Sequence, residues 1–157
     1  MNSLRTRNSR NSGFTLVEIL IVVIILGILA AIVIPQFTNA STNARSASTT
    51  SQLQTLRSQI QLFKLQHNDT LPDLVTNQWA QLLSTSNITG AVDATAAGIY
   101  GPYLETTPRN PLNNNSAVDA TASGPTIGWV YTVATGAIQA TNQTPTLIFN
   151  ESTGVVQ

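Results

Sequence analysis

The sequence predicts an α+β fold, one long N-terminal helix laid on a small antiparallel sheet, and three observations carry that prediction. Residues 14–34 form a run that is apolar but for two residues, and a helix-spaced stripe continues from it to about residue 65. From residue 127 onward, short segments with alternating apolar residues are separated by Thr-Gly turns.

The apolar run reads FTLVEILIVVIILGILAAIVI, with only Thr15 and Glu18 polar. As a helix it spans about 30 Å at about 1.5 Å per residue, close to the hydrocarbon thickness of a bilayer. Ahead of it lie Arg5, Arg7 and Arg10 and no acid, so the first 13 residues carry +3 and the remainder −3, within a formal net charge of zero. A basic tip before an apolar run predicts a cytoplasmic N-terminus, with the rest of the chain on the far side of the membrane. A secretory signal peptide would have a shorter apolar core and a small-residue cleavage site behind it. Here Ala30 and Ala31 sit inside the run. A plain anchor fits the length but gives no reason for a carboxylate one turn into it, where the charge costs on the order of 3 kcal/mol at mid-helix.

Gly13-Phe14-Thr15-Leu16-Val17-Glu18, behind that basic tip, resembles the processing site of the type IV pilin and type II secretion pseudopilin family. The resemblance implies a pilin-like fold and a cut after Gly13 by a prepilin peptidase on the cytoplasmic side. It further implies methylation of the new N-terminus at Phe14, and a role in assembly for Glu18, the fifth mature residue. Gly27 and Pro35 fall where the family carries helix-weakening residues, and Pro removes a backbone donor and clashes with the preceding turn. The expected organisation is a leader over 1–13, a transmembrane and filament-core helix over 14–35, and a head over 36–157. No Lys or Arg lies between positions 14 and 44, so the nearest positive group to Glu18 after cleavage is the amine of Phe14.

Past Pro35 the helix turns amphipathic. Phe37, Ala40, Ala44 and Ala47, then after a slip Leu53, Leu56, Ile60 and Phe63, follow spacings of three and four. Such a helix, from residue 14 to about 65, would approach about 75 Å. It should end near His67-Asn68-Asp69, because Pro72 forbids easy continuation. His67, the single histidine, has no acid or nucleophile at helical spacing and reads as structural. A short second helix is expected over 77–84, burying Trp79, Leu82 and Leu83.

Residues 86–128 read as irregular, rich in Gly, Pro, Asn, Ala and Thr. Within them the hexapeptide AVDATA occurs at 91–96 and again at 117–122, too short for a repeat architecture. Gly101-Pro102-Tyr103-Leu104 and Pro108-Arg109-Asn110-Pro111 look like the family's connection from second helix to sheet. Strands are expected over 127–133, 137–141 and 146–150, with turns at Thr135-Gly136 and Thr153-Gly154.

Composition bounds the function. Charged residues make up only 9% of the chain, so Ser, Thr, Asn and Gln build the polar surface, and no basic patch marks a nucleic-acid partner. There is no cysteine, hence no disulfide, thiolate chemistry or thiolate metal site. No constellation for catalysis is visible, so the chain does not read as an enzyme. The sequence calls for no cofactor. A calcium site, as major pseudopilins often have, would draw on Asn113, Asn114, Asn115 and Asp119. Calcium takes about six to eight oxygens, only one of these residues is a carboxylate, and the acidic loop expected after the Trp–Tyr strand is missing.

The resemblance implies a structural subunit of a periplasmic pseudopilus, polymerising to drive protein export in type II secretion. Its partners would be further copies of itself, the prepilin peptidase, an inner-membrane assembly platform and ATPase, and minor pseudopilins. It would sit in the bacterial inner membrane as a single-pass protein with a periplasmic head, and then in a periplasmic or surface filament. A type IV or DNA-uptake pilus subunit stands as an alternative, as does a membrane-anchored binding module that never polymerises.

Overall fold

The structure is a computed structural model and describes residues 13–93, 95, 99–121, 124, 126–142, 148–151 and 155–156. Helix α1 runs Leu16–Gln66 and α2 Ala80–Leu83. Strands follow as β1 (Ala117–Asp119), β2 (Ile127–Thr132), β3 (Ala137–Ala140), β4 (Phe149–Asn150) and β5 (Val155–Val156). The chain divides into two compact units, Met1–Ala40 and Ser41–Gln157, and α1 contributes to both.

In the first unit every described residue is exposed. This part of α1 is long and apolar enough to cross a membrane. Its lack of a polar face follows from the sequence, since a helix apolar all round has nothing to turn towards water.

The second unit has a core. Leu53, Leu56, Ile60 and Phe63 of α1 are buried, as their spacing predicts, and cluster with Leu74, Trp79, Leu82, Trp129, Tyr131, Ile138 and Phe149. Each such side chain, fully buried, stabilises the fold by about 1.5–3 kcal/mol through apolar transfer. The earlier part of the stripe behaves differently: Phe37, Ala40, Ala44 and Ala47 are all exposed, and burial begins at Thr49. Those four positions carry helical spacing without a partner in this chain's core.

α1 stops where expected. Asn68 and Asp69 take φ of 50° and 62°, the left-handed conformation that these two residue types tolerate best after glycine. The Asp69 N–H then returns to the Lys64 carbonyl at 3.0 Å, closing the last turn. The second helix is shorter than its pattern suggested, with only Ala80–Leu83 helical, although Trp79 and Leu82 are buried and Leu83 half-buried as expected.

The sheet is mixed rather than antiparallel throughout. Its order is β1-β2-β3, with β1 parallel to β2 and β2 antiparallel to β3, and a separate antiparallel pair joins β4 to β5. β1 comes from the second AVDATA segment, inside the stretch expected to be irregular. Three residues of modest strand propensity are held there by their partners. Val118 fills the core, and the Gln78 amide both donates to the Val118 carbonyl at 2.9 Å and accepts the Val118 N–H at 2.8 Å. That side chain occupies the outer edge of β1 as a further strand would.

β2 was expected to be half-buried by alternation. Instead Gly128, Trp129, Val130 and Tyr131 are all buried, because β2 lies between two strands and is covered on both faces. The register slips between Ala117 and Val118, opposite Gly128. A Cβ on Gly128 would lie 2.2 Å from the Asn115 carbonyl, so only glycine permits the loop to come this close. The β2–β3 turn falls at Thr135-Gly136 as expected, with Gly136 at φ 73° and its N–H on the Thr132 carbonyl at 2.8 Å. The expected third strand survives as Phe149–Asn150, while the expected turn at 153–154 lies outside the described residues.

One ion pair ties α1 to the chain's last segment. Arg57 presents both guanidinium ends to Glu151, each at 2.7 Å, and donates from Nη2 to the Ile138 carbonyl at 3.0 Å. Both side chains stay partly solvated, so the contribution is on the order of 1 kcal/mol.

Candidate processing and assembly site

The leader arginines Arg5, Arg7 and Arg10 lie outside the described residues. Gly13, Phe14 and Thr15 precede the helix, and Phe14 is 84% exposed. A Cβ built on Gly13 meets nothing within 4 Å. The Gly13–Phe14 bond thus lies in exposed, non-helical chain immediately ahead of a helix.

Thr15 and Glu18 then start α1 together. The Thr15 N–H and hydroxyl both donate to Glu18 Oε2 at 2.9 Å, and the Glu18 N–H donates to Thr15 Oγ1 at 3.2 Å. This is a capping box, in which a Thr and a Glu three residues on satisfy donors that a helix start leaves unpaired. The sequence offers Glu18 no Lys or Arg between positions 14 and 44, yet its carboxylate is not bare. Thr15 is the functional residue that reading by charge missed. The signal was present as Thr-x-x-Glu directly before an apolar run.

Gly27 and Pro35 both lie inside α1, which is continuous through them. An added Cβ at Gly27 would meet nothing within 4 Å, so no contact within the chain calls for glycine there. Pro35 has no N–H to give the preceding turn, and close by, the Thr38 hydroxyl donates to the Ile34 carbonyl at 3.2 Å.

The residues weighed for other chemistry sit in the head. His67 is fully buried just past α1, stacked on Phe63 with ring centroids 3.9 Å apart. Its Nδ1 donates to the Phe63 carbonyl at 2.7 Å and its Nε2 shares a hydrogen bond with the Ser86 hydroxyl at 2.9 Å. Both ring nitrogens are engaged in packing the end of the helix. Three of the four residues considered for calcium are engaged in other hydrogen bonds. Asn113 turns its amide nitrogen into the sheet end, Asn114 offers its carbonyl to Arg109, and Asp119 bonds the Ala120 N–H at 2.6 Å.

Comparison with known proteins agrees with this reading of the N-terminus. Residues 8–34 match the prokaryotic N-terminal methylation motif. The chain is 36% identical over 67 residues to type II secretion system core protein G of Pectobacterium carotovorum subsp. carotovorum, a match covering 43% of each chain. It is 47% identical over 49 residues to the type IV major pilin protein PilA of Myxococcus xanthus, covering 31% of this chain and 22% of that one. The chain thus spans about two fifths or less of the length of these relatives. No solved structure matches it significantly. A longer match, 32% identical over 121 residues, covers 73% of this chain and 78% of the type IV major fimbrial protein FimA of Dichelobacter nodosus. With the methylation motif at its start, the helix-on-sheet fold behind it and a relative matched over most of both lengths, the chain belongs to the type IV pilin and pseudopilin family.

Proposed function

We propose that the chain is a filament subunit. It is inserted in the bacterial inner membrane with residues 1–13 in the cytoplasm, cut after Gly13 by a prepilin peptidase, methylated at Phe14 and polymerised through residues 14–35. Residues 36–157 form the periplasmic head. The single observation that supports this most is the fully exposed apolar surface of α1, which begins on a capped carboxylate immediately behind an accessible Gly-Phe junction. Such a surface needs lipid or other copies of itself around it. Since both are apolar, moving from one to the other need not cost the full transfer energy from water. The exposed stripe of Phe37, Ala40, Ala44 and Ala47 extends the same self-associating surface beyond the membrane.

Within that class, the reading is a type II secretion pseudopilus. An inner-membrane platform and ATPase drive assembly, minor pseudopilins accompany the filament, and its growth pushes folded cargo outward. The matches to protein G support it. A type IV pilus is the second reading, favoured by the match to FimA extending over 121 residues. Deleting the gene in the producing bacterium separates the two. Loss of secreted proteins without loss of surface fibres supports the pseudopilus. Loss of surface fibres with export intact supports the pilus.

A further inference from the structure

At the end of the sheet, backbone oxygens from β2 and from the two residues that follow β3 converge on two asparagine side chains. Asn110 is fully buried, and its Nδ2 lies 2.7 Å from the Gly128 carbonyl and 2.7 Å from the Thr141 carbonyl. Asn113 Nδ2 lies 3.0 Å from the Ile127 carbonyl, 2.9 Å from Thr141 Oγ1 and 3.4 Å from the Asn142 carbonyl. Each amide oxygen is turned back into its own loop: Asn110 Oδ1 accepts the Leu112 N–H at 2.9 Å, and Asn113 Oδ1 accepts the Asn115 N–H at 3.0 Å. The surroundings fix which atom is nitrogen, because carbonyls on one side require donors and N–H groups on the other require acceptors.

Clustered carbonyl oxygens in a loop are what a hard cation such as calcium coordinates, at about 2.3–2.6 Å and with carboxylates among its ligands. The donor set here does not fit one. The groups at the point of convergence are –NH2 donors, whose partial positive charge repels a cation. The one carboxylate among the residues weighed for calcium, Asp119, turns Oδ1 to the N–H groups of Ala120 and Thr121. Among the described residues no group of three or more His, Cys, Asp or Glu gathers anywhere.

We infer that the Asn110 and Asn113 amides do the joining that a divalent cation would otherwise do, so that the head folds and holds its 110–115 loop on the sheet without calcium. Two neutral side chains satisfy the converging oxygens, and a buried carbonyl so paired is no longer costly. Holding the loop this way keeps the Asn115 carbonyl against Gly128, where the sheet register slips. The consequence is a subunit whose stability does not follow the calcium level outside the cell.

The test is thermal unfolding of the full chain in detergent micelles, followed by fluorescence of Trp79 and Trp129, in millimolar calcium chloride and in excess chelator. The wild-type midpoint is expected to be the same in both. Asn110→Asp keeps the shape but turns an acceptor towards two carbonyls, and in chelator it should unfold at least about 5 °C lower. Asn113→Asp, at a half-buried position, should give a smaller fall in the same direction. A saturable rise of the wild-type midpoint with calcium overturns the inference. So does Asn110→Asp as stable as wild type in chelator, which would mean that no donor is needed there.

Discussion

Thr15 and Glu18 hold each other across the first turn of α1, with the Thr15 N–H and hydroxyl on Glu18 Oε2 and the Glu18 N–H on Thr15 Oγ1. The pairing gives the carboxylate two donors, and it fixes the helix start immediately after the Gly13–Phe14 junction. Thr15→Val keeps the side-chain shape and removes the hydroxyl. The loss should cost the helix start about 1 kcal/mol, so in micelles the Glu18 amide should exchange about fivefold faster. Thr15→Ser should restore slow exchange. Unchanged exchange in Thr15→Val would mean that the cap is not made.

Processing is expected to depend on Gly13. Because an added Cβ meets nothing within 4 Å among the described residues, a loss of cutting on substitution is expected to report the fit in the peptidase rather than a change in the subunit. Co-expressed with a prepilin peptidase, the wild type should give by mass spectrometry a chain beginning at methylated Phe14. Gly13→Ala should be cut in part and Gly13→Leu not at all. An intact wild-type N-terminus in the presence of active peptidase would contradict the assignment.

Gly27 and Pro35 are expected to matter in the filament and not in the free subunit, where α1 runs through both. Relative to Ala they weaken a helix by about 1 and about 3 kcal/mol. In a filament map the backbone between them should lose regular hydrogen bonding, letting the helix extend as subunits pack. Gly27→Ala with Pro35→Ala should leave monomer helicity equal or higher and reduce filament length. Continuous α-helix from residue 19 through 37 in a wild-type filament map would refute the proposed extension.

Tyr131 is a stability prediction of the opposite sign. Its side chain is fully buried, and among the described residues its hydroxyl finds no hydrogen-bond partner. Burial, with a smaller contribution from the Asp73 charge, pushes its ionisation up to about 12. A folded value above the ordinary one of about 10 means that this contribution to stability is complete below about pH 10 and is lost as pH rises through about 12. Tyr131→Phe removes an unpaired buried hydroxyl. It should raise the melting midpoint by about 3 °C, corresponding to about 1 kcal/mol, and make the fall above pH 10 shallower. Tyr103 is pushed the same way by burial, so the measure is the difference between variant and wild type. A lower midpoint in the variant would mean that the hydroxyl is paired.

Much of this molecule was legible in the sequence because its strongest signals are long or chemically specific. The apolar run, the Leu53–Phe63 spacing, the helix end at Asn68-Asp69 and the Thr135-Gly136 turn each rest on local physics and recur in the structure. What escaped depends on distant partners. β1 has little strand character of its own and exists because Gln78 and β2 flank it. β2 is buried on both faces for a reason that its own alternation cannot carry. Phe37, Ala40, Ala44 and Ala47 have helical spacing but are exposed among the described residues, since periodicity reports a face and not what meets it. At the site, the cap between Thr15 and Glu18 was overlooked because Thr15 was read as a polar interruption rather than as half of a cap.

The central claim is that the charge of Glu18 sets register in a filament built from residues 14–35. A neighbouring subunit shifted along the fibre can bring its Glu18 level with an incoming Phe14 amine. At about 4 Å and an effective dielectric of about 20, the pair attracts by about 4 kcal/mol before desolvation is charged against it. Glu18→Gln tests this cleanly, because the amide oxygen can still accept from Thr15 and the helix start is kept while the charge is gone. The decisive measurement is filament yield by electron microscopy from cells expressing wild type or Glu18→Gln at equal levels of cleaved subunit. The prediction is thin helical filaments from the wild type and at least about a tenfold loss in the variant, the equivalent of about 1.4 kcal/mol. Equal filaments from both would contradict it and leave Glu18 as the capping residue of an ordinary helix start.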